Sequence, residues 1–226
     1  MKKKHDSNLL LGDVAYQAIR QAVTTNQMKP GDRLSEYMVA DWLKISRTPA
    51  REGLRRLESE GLLTPHPRRG LVVATLDESA VHELYSAREV LESTVAGMAA
   101  RFATDAEISS LQHMVEVEAS LLDAPDKMFE HNLAFHNLIS QAARNRYIAR
   151  FLHSISDILS THRRVSNLFS RERRDEVLKE HSELVDAIAR RDEDGARIAA
   201  AHHIRGALRA RVQVQRSERA LKTGSA

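Results

Sequence analysis

The sequence predicts a mainly α-helical protein in which a winged helix-turn-helix is followed by an all-α antiparallel bundle of six helices. Two observations predict the first part: a capped, arginine-bearing helix follows a shorter one, and two β-prone runs then flank a basic loop. A third predicts the bundle, because helical periodicity continues from residue 77 to 216. With 226 residues, 42% of them hydrophobic, the chain can bury two cores. We therefore predict domains at 1–75 and 76–216 and a flexible tail at 217–226.

Charge is distributed unevenly between the two predicted domains. Residues 1–75 hold 13 lysines and arginines against 8 acidic residues, whereas the remainder holds 21 against 23. A basic head of this kind indicates a polyanionic partner, and aromatic content of only 4% favours duplex DNA over base stacking with single strands. Cysteine is absent, which excludes disulfides and thiolate metal sites. No apolar run is long enough for a signal peptide or membrane span, so we expect a cytoplasmic protein with no membrane partner.

Three helices are predicted in the head. The first covers about residues 9–27, with Val14 among its core positions, and Pro30 and Gly31 then turn the chain. Ser35 caps the second helix, whose inward face is predicted to carry Met38, Val39, Trp42 and Leu43. A tight turn at residues 43–45 joins it to the third.

The third helix carries two faces. Ser46 is a candidate N-cap whose hydroxyl can accept a backbone N–H, and Pro49 lies in the first turn, where a missing donor costs least. The apolar stripe contains Ala50, Leu54 and Leu57, and another face carries a row of guanidinium groups from Arg47, Arg51 and Arg55. Such a row is often only a solvated surface. Its place between a tight turn and a hairpin favours a helix that reads the major groove.

Two short β-prone runs follow Gly61, at residues 62–64 and 71–74. The loop between them is basic and contains Arg69 and Gly70, so the hairpin forms a wing that can reach phosphate or a minor groove.

The segment from Pro30 to Leu62 resembles the winged helix of GntR-family transcription regulators. The resemblance rests on the runs Pro30-Gly31-Asp32-Arg33-Leu34, Ser46-Arg47-Thr48-Pro49-Ala50-Arg51-Glu52 and Leu57-Glu58-Ser59-Glu60-Gly61-Leu62. It implies that Ser46, Arg47, Thr48 and Arg51 contact double-stranded operator DNA, with Gly70 in the wing. Where fatty-acid-responsive relatives carry an arginine early in the second helix, this chain has Tyr37, so that contact is not transferred.

Six helices are predicted in the bundle. Their approximate bounds are 77–103, 104–122, 125–143, 146–168, 171–191 and 193–216. Asp77 and Asp192 are candidate N-caps, Thr104 and Glu107 form a capping-box pattern, and Pro125 lies at a helix start.

Polar residues interrupt the apolar stripes of three of these helices. Asn132 and His136 lie four residues apart on the third bundle helix, His181 on the fifth and His203 on the sixth, with the adjacent His202 a second choice. Each alone is more often a hydrogen-bonded core residue. Together they predict a divalent metal held by the Asn132 amide oxygen and three imidazoles, which favour zinc or nickel.

The runs around these residues resemble the metal-binding FCD ligand domain of the FadR subfamily, in its six-helix VanR-like branch. They are Asn132-Leu133-Ala134-Phe135-His136, Glu180-His181-Ser182-Glu183-Leu184 and His202-His203-Ile204. The resemblance implies a metal whose coordination a small carboxylate completes. Asn132 departs from the family's usual aspartate, which lowers expected metal affinity and removes one negative charge.

Two further inward residues are candidates for effector binding. Arg88 could bind an effector carboxylate through its guanidinium group, or could simply pair with Glu92 one turn later. His162 could line the same cavity, or could be a hydrogen-bonded core histidine.

We therefore expect a ligand-responsive transcription regulator, more often a repressor, that binds a palindromic operator as a homodimer. The alternative is a metal-dependent hydrolase that uses the three-histidine site to activate water. No HExxH, GxSxG or P-loop motif supports that alternative. A metal-stabilised regulator without an effector is a third possibility.

Overall fold

The computed structural model describes residues 2–162, 168 and 170–223. The chain separates into two compact units. The first consists of residues 1–75 with residues 157–163, and the second of residues 76–156 with residues 164–226. Among the described helices, none combines the length and hydropathy that a bilayer crossing requires.

The first unit contains three helices and a small sheet before residue 75. In chain order these are α1 Lys2–Thr24, β1 Arg33–Leu34, α2 Glu36–Leu43, α3 Arg47–Ser59, β2 Leu63–His66 and β3 Gly70–Val73. The winged helix-turn-helix prediction is confirmed. Helix α1 starts seven residues earlier than expected. The strand β1 was not predicted because two residues are too few to show the alternating pattern of a strand.

The turn between α2 and α3 is tight because Lys44 adopts a left-handed conformation, with φ of 54°. Ser35 caps α2 as predicted, through a hydrogen bond from the Met38 backbone N–H. Ser46 occupies the N-cap position of α3, but its hydroxyl makes no capping hydrogen bond. The predicted capping hydrogen bond is therefore wrong, although the extended backbone of Ser46 is that of an N-cap residue.

The core of the first unit is formed by α1, α3 and the sheet. Ala50, Leu54 and Leu57 are buried as predicted. Gly53 lies where α3 meets α1, and a Cβ there would stand only 2.8 Å from the Tyr16 backbone nitrogen. A side chain of any size is therefore excluded at this crossing.

Three residues predicted to face this core are exposed instead: Val14, Met38 and Trp42. On each of these helices only one narrow stripe meets the partner helices, and Val39 on α2 and Ala15 and Ile19 on α1 fill it.

The sheet is antiparallel, in the order β1-β3-β2. Strands β2 and β3 pair Leu63 with Val73 and His66 with Gly70. Gly70 has φ of 77°, a conformation that other residues rarely adopt, and stands at the exposed end of the hairpin. The predicted wing is thus a hairpin whose tip carries the basic loop.

Six helices follow residue 75 in the described part of the chain, all in the second unit except the end of the fourth helix from residue 157 onward. They are α4 Glu78–Phe102, α5 Asp105–Ser120, α6 Pro125–Ala142, α7 Arg146–Thr161, α8 Arg171–Ala189 and α9 Glu193–Thr223. The predicted number agrees, and so do the N-terminal signals. Asp77 accepts the Ala80 N–H, Asp192 accepts the Gly195 N–H, and Thr104 forms a reciprocal capping box with Glu107.

Two helix ends differ from the prediction. Helix α7 ends at Thr161 rather than near 168, and residues 163–167 of the predicted helix lie outside the described residues. Helix α9 continues to Thr223, so residues 217–223 are helical rather than a flexible tail; residues 224–226 lie outside the description.

Small side chains dominate the core of the second unit. Alanines from α4, α6, α8 and α9 pack around Phe135, Ile139, Leu184 and Ile188. Close helix packing of this kind brings inward-facing polar side chains of different helices within reach of each other.

Candidate functional site

Three imidazoles converge inside the second unit. His136 on α6, His181 on α8 and His203 on α9 each offer a ring nitrogen, and these nitrogens all lie within 4.8 Å of one another. The ring centroids of His181 and His203 are 4.7 Å apart, and those of His136 and His203 are 5.1 Å apart. Three helices predicted to aim imidazoles inward therefore do so at one point.

Each imidazole is held by a carboxylate on its other nitrogen. The Nδ1 atoms of His136, His181 and His203 lie 2.9, 2.8 and 2.7 Å from carboxylate oxygens of Glu92, Glu118 and Glu180, respectively. Because an ionised carboxylate only accepts, Nδ1 carries the proton and donates it. The lone pair is then on Nε2, the atom that would bind a metal.

The Nε2 atoms bear the signs of a metal-binding arrangement. Those of His136 and His181 are buried and have no hydrogen-bond partner in the described part of the chain. Buried polar atoms without partners are uncommon and call for an explanation. Imidazoles that donate to carboxylates are the usual ligands of protein-bound zinc, so the donor set fits a divalent transition metal.

Two buried arginines share these carboxylates. Arg88 Nε donates to Glu92 Oε1 at 2.7 Å, and Arg173 donates to both oxygens of Glu180 at 2.7 Å each. Each arginine fixes a carboxylate that in turn fixes an imidazole.

Burial and neighbouring charges set the protonation states. Burial lowers the pKa of His181, although its Glu118 partner opposes this. Burial and the two other imidazoles hold the pKa of His203 well below its usual range. Burial alone would raise the pKa of Glu92, but Arg88 and His136 outweigh it and lower that pKa. His181 and His203 are thus neutral imidazoles and Glu92 is an ionised carboxylate at neutral pH, which is the state that metal binding requires of such ligands.

A small cavity adjoins the cluster. It has about 30 Å³ of space for the centres of water molecules, roughly enough for two. His136 and His203 line one part of it, and apolar side chains from α4, α6, α7 and α9 line much of the rest. Ser140 also lines the cavity, and its hydroxyl is buried without a partner in the described residues.

The remaining sequence-predicted residues of this site are placed differently. Asn132 lies one turn before His136 and is partly buried, but it does not line the cavity. Arg88 pairs with Glu92, the alternative raised from its spacing. His202 is exposed.

His162, a candidate for the cavity lining or for a core histidine, does not line the cavity. It follows the end of α7, in the segment that belongs to the first unit. Its Nδ1 lies 2.6 Å from the Thr161 hydroxyl and 3.0 Å from the Ile158 carbonyl oxygen, as in a hydrogen-bonded core histidine.

The sequence did not lead us to predict the three carboxylates as partners of the histidines, although two of them carried a signal. Glu118 continues the α5 stripe of Ile108, Leu111 and Val115, and Glu92 lies one turn after Arg88. An acidic residue on an apolar stripe is itself an inward-facing polar residue and could have been found on that ground.

The first unit presents the second candidate site, on the exposed side of α3. Ser46, Arg47, Thr48, Arg51 and Arg55 are all exposed there. A shallow groove runs along this face, lined by Thr48, Arg51, Glu52, Arg55, Arg56 and Ser59.

Arg47 and Arg51 are both paired with Glu36 from the first turn of α2. Arg51 donates from Nε and Nη2 to the two carboxylate oxygens, at 2.6 and 3.0 Å, and Arg47 from Nη2 at 3.3 Å. The side chains nevertheless remain exposed, by 68% for Arg47 and 48% for Arg51. Arg69 and Gly70 are exposed at the wing.

A winged helix with an exposed arginine face, joined to a helical unit with a buried ligand-type cluster, defines a DNA-binding transcription regulator. Family comparisons agree with this class. The model described as "Bacterial regulatory proteins, gntR family" matches residues 11–73, and that described as "FCD domain" matches residues 83–206.

The chain belongs to the GntR family of transcription regulators, with an FCD domain. It is 26% identical over 192 residues to the HTH-type transcriptional repressor RspR of Escherichia coli (strain K12), covering 84% of this chain and 83% of that protein. The family and its relatives are transcription regulators rather than enzymes. The FadR subfamily assignment is consistent with this domain pair.

Solved structures show the same fold. E. coli McbR/YncC superposes with a TM-score of 0.73 at 20% identity, covering 90% of this chain and 97% of that one. The metal-free FCD domain of TM0439 superposes with a TM-score of 0.52 at 18% identity, covering 64% of this chain and 99% of that domain.

Proposed function

We propose that this protein is a transcriptional repressor whose FCD domain binds one divalent metal and a small carboxylate effector. The observation that carries the proposal is the convergence of three imidazoles, each with a ring nitrogen within 4.8 Å of the others and with Nδ1 held by a carboxylate, which leaves Nε2 to bind a metal. The metal would be held by His136, His181 and His203, with Asn132 as a further candidate ligand. Zinc and nickel suit three imidazoles best.

The charges around the cluster support an anionic ligand. Three carboxylates and two guanidinium groups together carry one net negative charge, and a divalent metal bound by the imidazoles would convert this to one positive charge. A single carboxylate would then neutralise the site. The metal would act as a Lewis acid that binds a carboxylate oxygen.

The cavity indicates how such a ligand could be held. Its apolar lining suits a short hydrocarbon substituent, and the Ser140 hydroxyl can donate to a second oxygen. With room for about two water molecules, the cavity would take a small effector as it stands and must widen for a larger one. Arg88 would bind the effector only by exchanging some of its contact with Glu92.

The DNA-binding half of the proposal rests on α3 and the wing. Two copies related by a twofold axis would place two α3 helices on a palindromic operator, with Ser46, Arg47, Thr48, Arg51 and Arg55 at the groove and Arg69 and Gly70 beside the backbone. RspR, one of the relatives, is itself described as a repressor, which supports that sign of regulation. An effector would act by binding one arrangement of the dimer more tightly than the other.

Measuring operator affinity tests the proposal. A duplex selected from a random library by the wild-type protein would be titrated by fluorescence anisotropy, with the protein loaded with zinc or nickel. We expect acetate, lactate or a similar carboxylate to change the dissociation constant at least fivefold, and chelation to abolish that change.

The His203→Ala variant should bind the duplex but lose the response, because it removes one imidazole of the cluster. His202→Ala is the matched control, since the neighbouring side chain is exposed and should leave the response intact. An equal carboxylate response in both variants would exclude the cluster as the effector site.

A further inference from the structure

Glu36 stands at an unusual place for a carboxylate, on the surface that would face DNA. It is the first residue of α2, immediately after the Ser35 cap, and its side chain is 28% exposed. Both recognition-helix arginines nearest the start of α3 point to it. A negative charge facing phosphates repels them, so its position requires a compensating role.

The bonds between Glu36 and Arg51 use one particular edge of the guanidinium group. Nε and Nη2 donate to the two carboxylate oxygens at 2.6 and 3.0 Å, which is the side-on edge of a planar fork. Five N–H groups are fixed in that plane. The end-on edge, with one N–H from each Nη atom, therefore points away from Glu36 and has no partner among the described residues.

That end-on edge matches the pattern of a guanine in the major groove. Guanine presents two adjacent acceptors, O6 and N7, and a bidentate arginine is the commonest specific contact to them. A flexible arginine must lose rotamer freedom to make this contact, whereas one already held in plane loses less. Arg51 is the better candidate, because Arg47 reaches Glu36 through a single bond of 3.3 Å.

The Glu36 carboxylate also weakens the attraction of the two arginines to DNA phosphates, which is the same for every sequence. Glu36, Arg47 and Arg51 together carry one positive charge, where the two arginines alone would carry two. Non-specific affinity depends on the positive charge presented to phosphates. Glu36 thus weakens binding to any duplex, while it favours the orientation of Arg51 that contact with a guanine requires.

We propose that Glu36 is a specificity-determining residue that positions Arg51 to read a guanine and restrains Arg51 and Arg47 from phosphates. This inference rests on the proposed recognition of operator DNA by α3. It is independent of the metal and of the effector.

The test compares affinities of the full chain for two probes at one salt concentration: the duplex selected by the wild-type protein, and random-sequence duplex of equal length. Glu36→Gln should bind random duplex more tightly than the wild type, because one negative charge is lost. Its ratio of specific to random affinity should fall at least about fivefold, the lower end of what one bidentate base contact contributes. A repeated selection with this variant should show relaxed preference at one guanine per half-site.

Two further variants separate the effect of the Glu36 charge from the effect of its positioning of Arg51. Asp41→Asn removes the same charge from the same helix, but among the described residues Asp41 forms its ion pair with Lys44 and not with an arginine of α3. Both affinities should therefore rise, and their ratio should stay within twofold of wild type. Glu36→Asp keeps the charge but shortens the side chain, so random affinity should stay near wild type while the ratio falls. Thermal melting of all three variants checks that the fold is kept.

A ratio for Glu36→Gln within twofold of that for Asp41→Asn would overturn the inference, as would a wild-type ratio for Glu36→Asp. In either case the wild-type protein would still select a duplex, and the proposed function would stand. Failure of the wild-type protein to enrich any sequence would overturn both.

Discussion

At the scale of single residues, the imidazole cluster shows which details a sequence reveals. The histidines were predictable because each interrupts an apolar stripe at helical spacing. Their carboxylate partners come from other helices, so the pairing of Glu118 with His181 or Glu180 with His203 depends on helix packing that no local pattern encodes. The same is true of Glu36 and Arg51, whose contact crosses the turn between α2 and α3.

The partner of His181 provides a test at this scale. Glu118 and His181 are both fully buried, and their atoms are 2.8 Å apart. Glu118→Gln keeps the shape but removes the charge that makes the imidazole a stronger ligand. We expect metal affinity, measured by competition with a chromophoric chelator, to fall about 10–100-fold.

Glu116→Gln is the control for that substitution, because Glu116 lies on the same helix with its side chain 76% exposed. Its metal affinity should equal that of the wild type. Equal affinities for both variants would mean that the buried carboxylate does not support a metal ligand.

At the scale of helices and strands, local signals determined where elements begin better than where they end. Caps at Ser35, Asp77 and Thr104 were readable because a short polar side chain bonds to a backbone N–H three residues away. The end of α9 was missed because residues 217–223 contain no glycine or proline to stop the helix. The exposure of Met38 and Trp42 was missed because α2 buries only a narrow stripe.

The crossing of α1 and α3 provides a test of helix packing. Gly53→Ala would place a Cβ against the backbone of α1, at 2.8 Å from the Tyr16 nitrogen. Overpacking costs about 1–3 kcal/mol, and the higher helix propensity of alanine returns at most about 1 kcal/mol. Chemical denaturation should therefore show a less stable first unit.

Gly12→Ala is the matched comparison on the opposite helix. The Cβ there would meet only the flexible end of the Glu52 side chain, which can move aside. Its stability should be unchanged or slightly higher. A Gly53→Ala variant as stable as Gly12→Ala would show that the two helices do not approach as closely as described.

The capping box of α5 provides a test by pH. The Thr104 backbone N–H, its hydroxyl and Arg144 hold the pKa of Glu107 below its usual value of 4.5. A depressed pKa in the folded state means that the charge stabilises the fold above about pH 4.5 and that this contribution is lost as the pH falls.

Glu107→Gln retains the acceptor oxygen but not the charge. The wild type should therefore have the higher melting temperature near pH 7, and the two curves should converge as the pH falls below about 4.5. A melting-temperature difference that stays constant down to pH 3 would show that the charge of Glu107 does not contribute.

At the scale of the whole molecule, the predicted fold class is confirmed, since it follows from patterns repeated over many residues. The wing follows from two β-prone runs and the helical domain from sustained periodicity. The effector-binding geometry could not be predicted in the same way. It depends on which polar residues of five different helices meet, and three candidates, Arg88, Asn132 and His162, do not line the cavity.

The functional account of the second unit depends on one claim, that the imidazole cluster holds a metal. Metal content of the purified full chain, measured by mass spectrometry after exposure to zinc or nickel and desalting, tests it most directly. We expect one metal per chain in the wild type and in His113→Ala, whose imidazole is exposed, and almost none in His136→Ala or His181→Ala. A full metal content in either of the last two variants, or none in the wild type, would contradict the account.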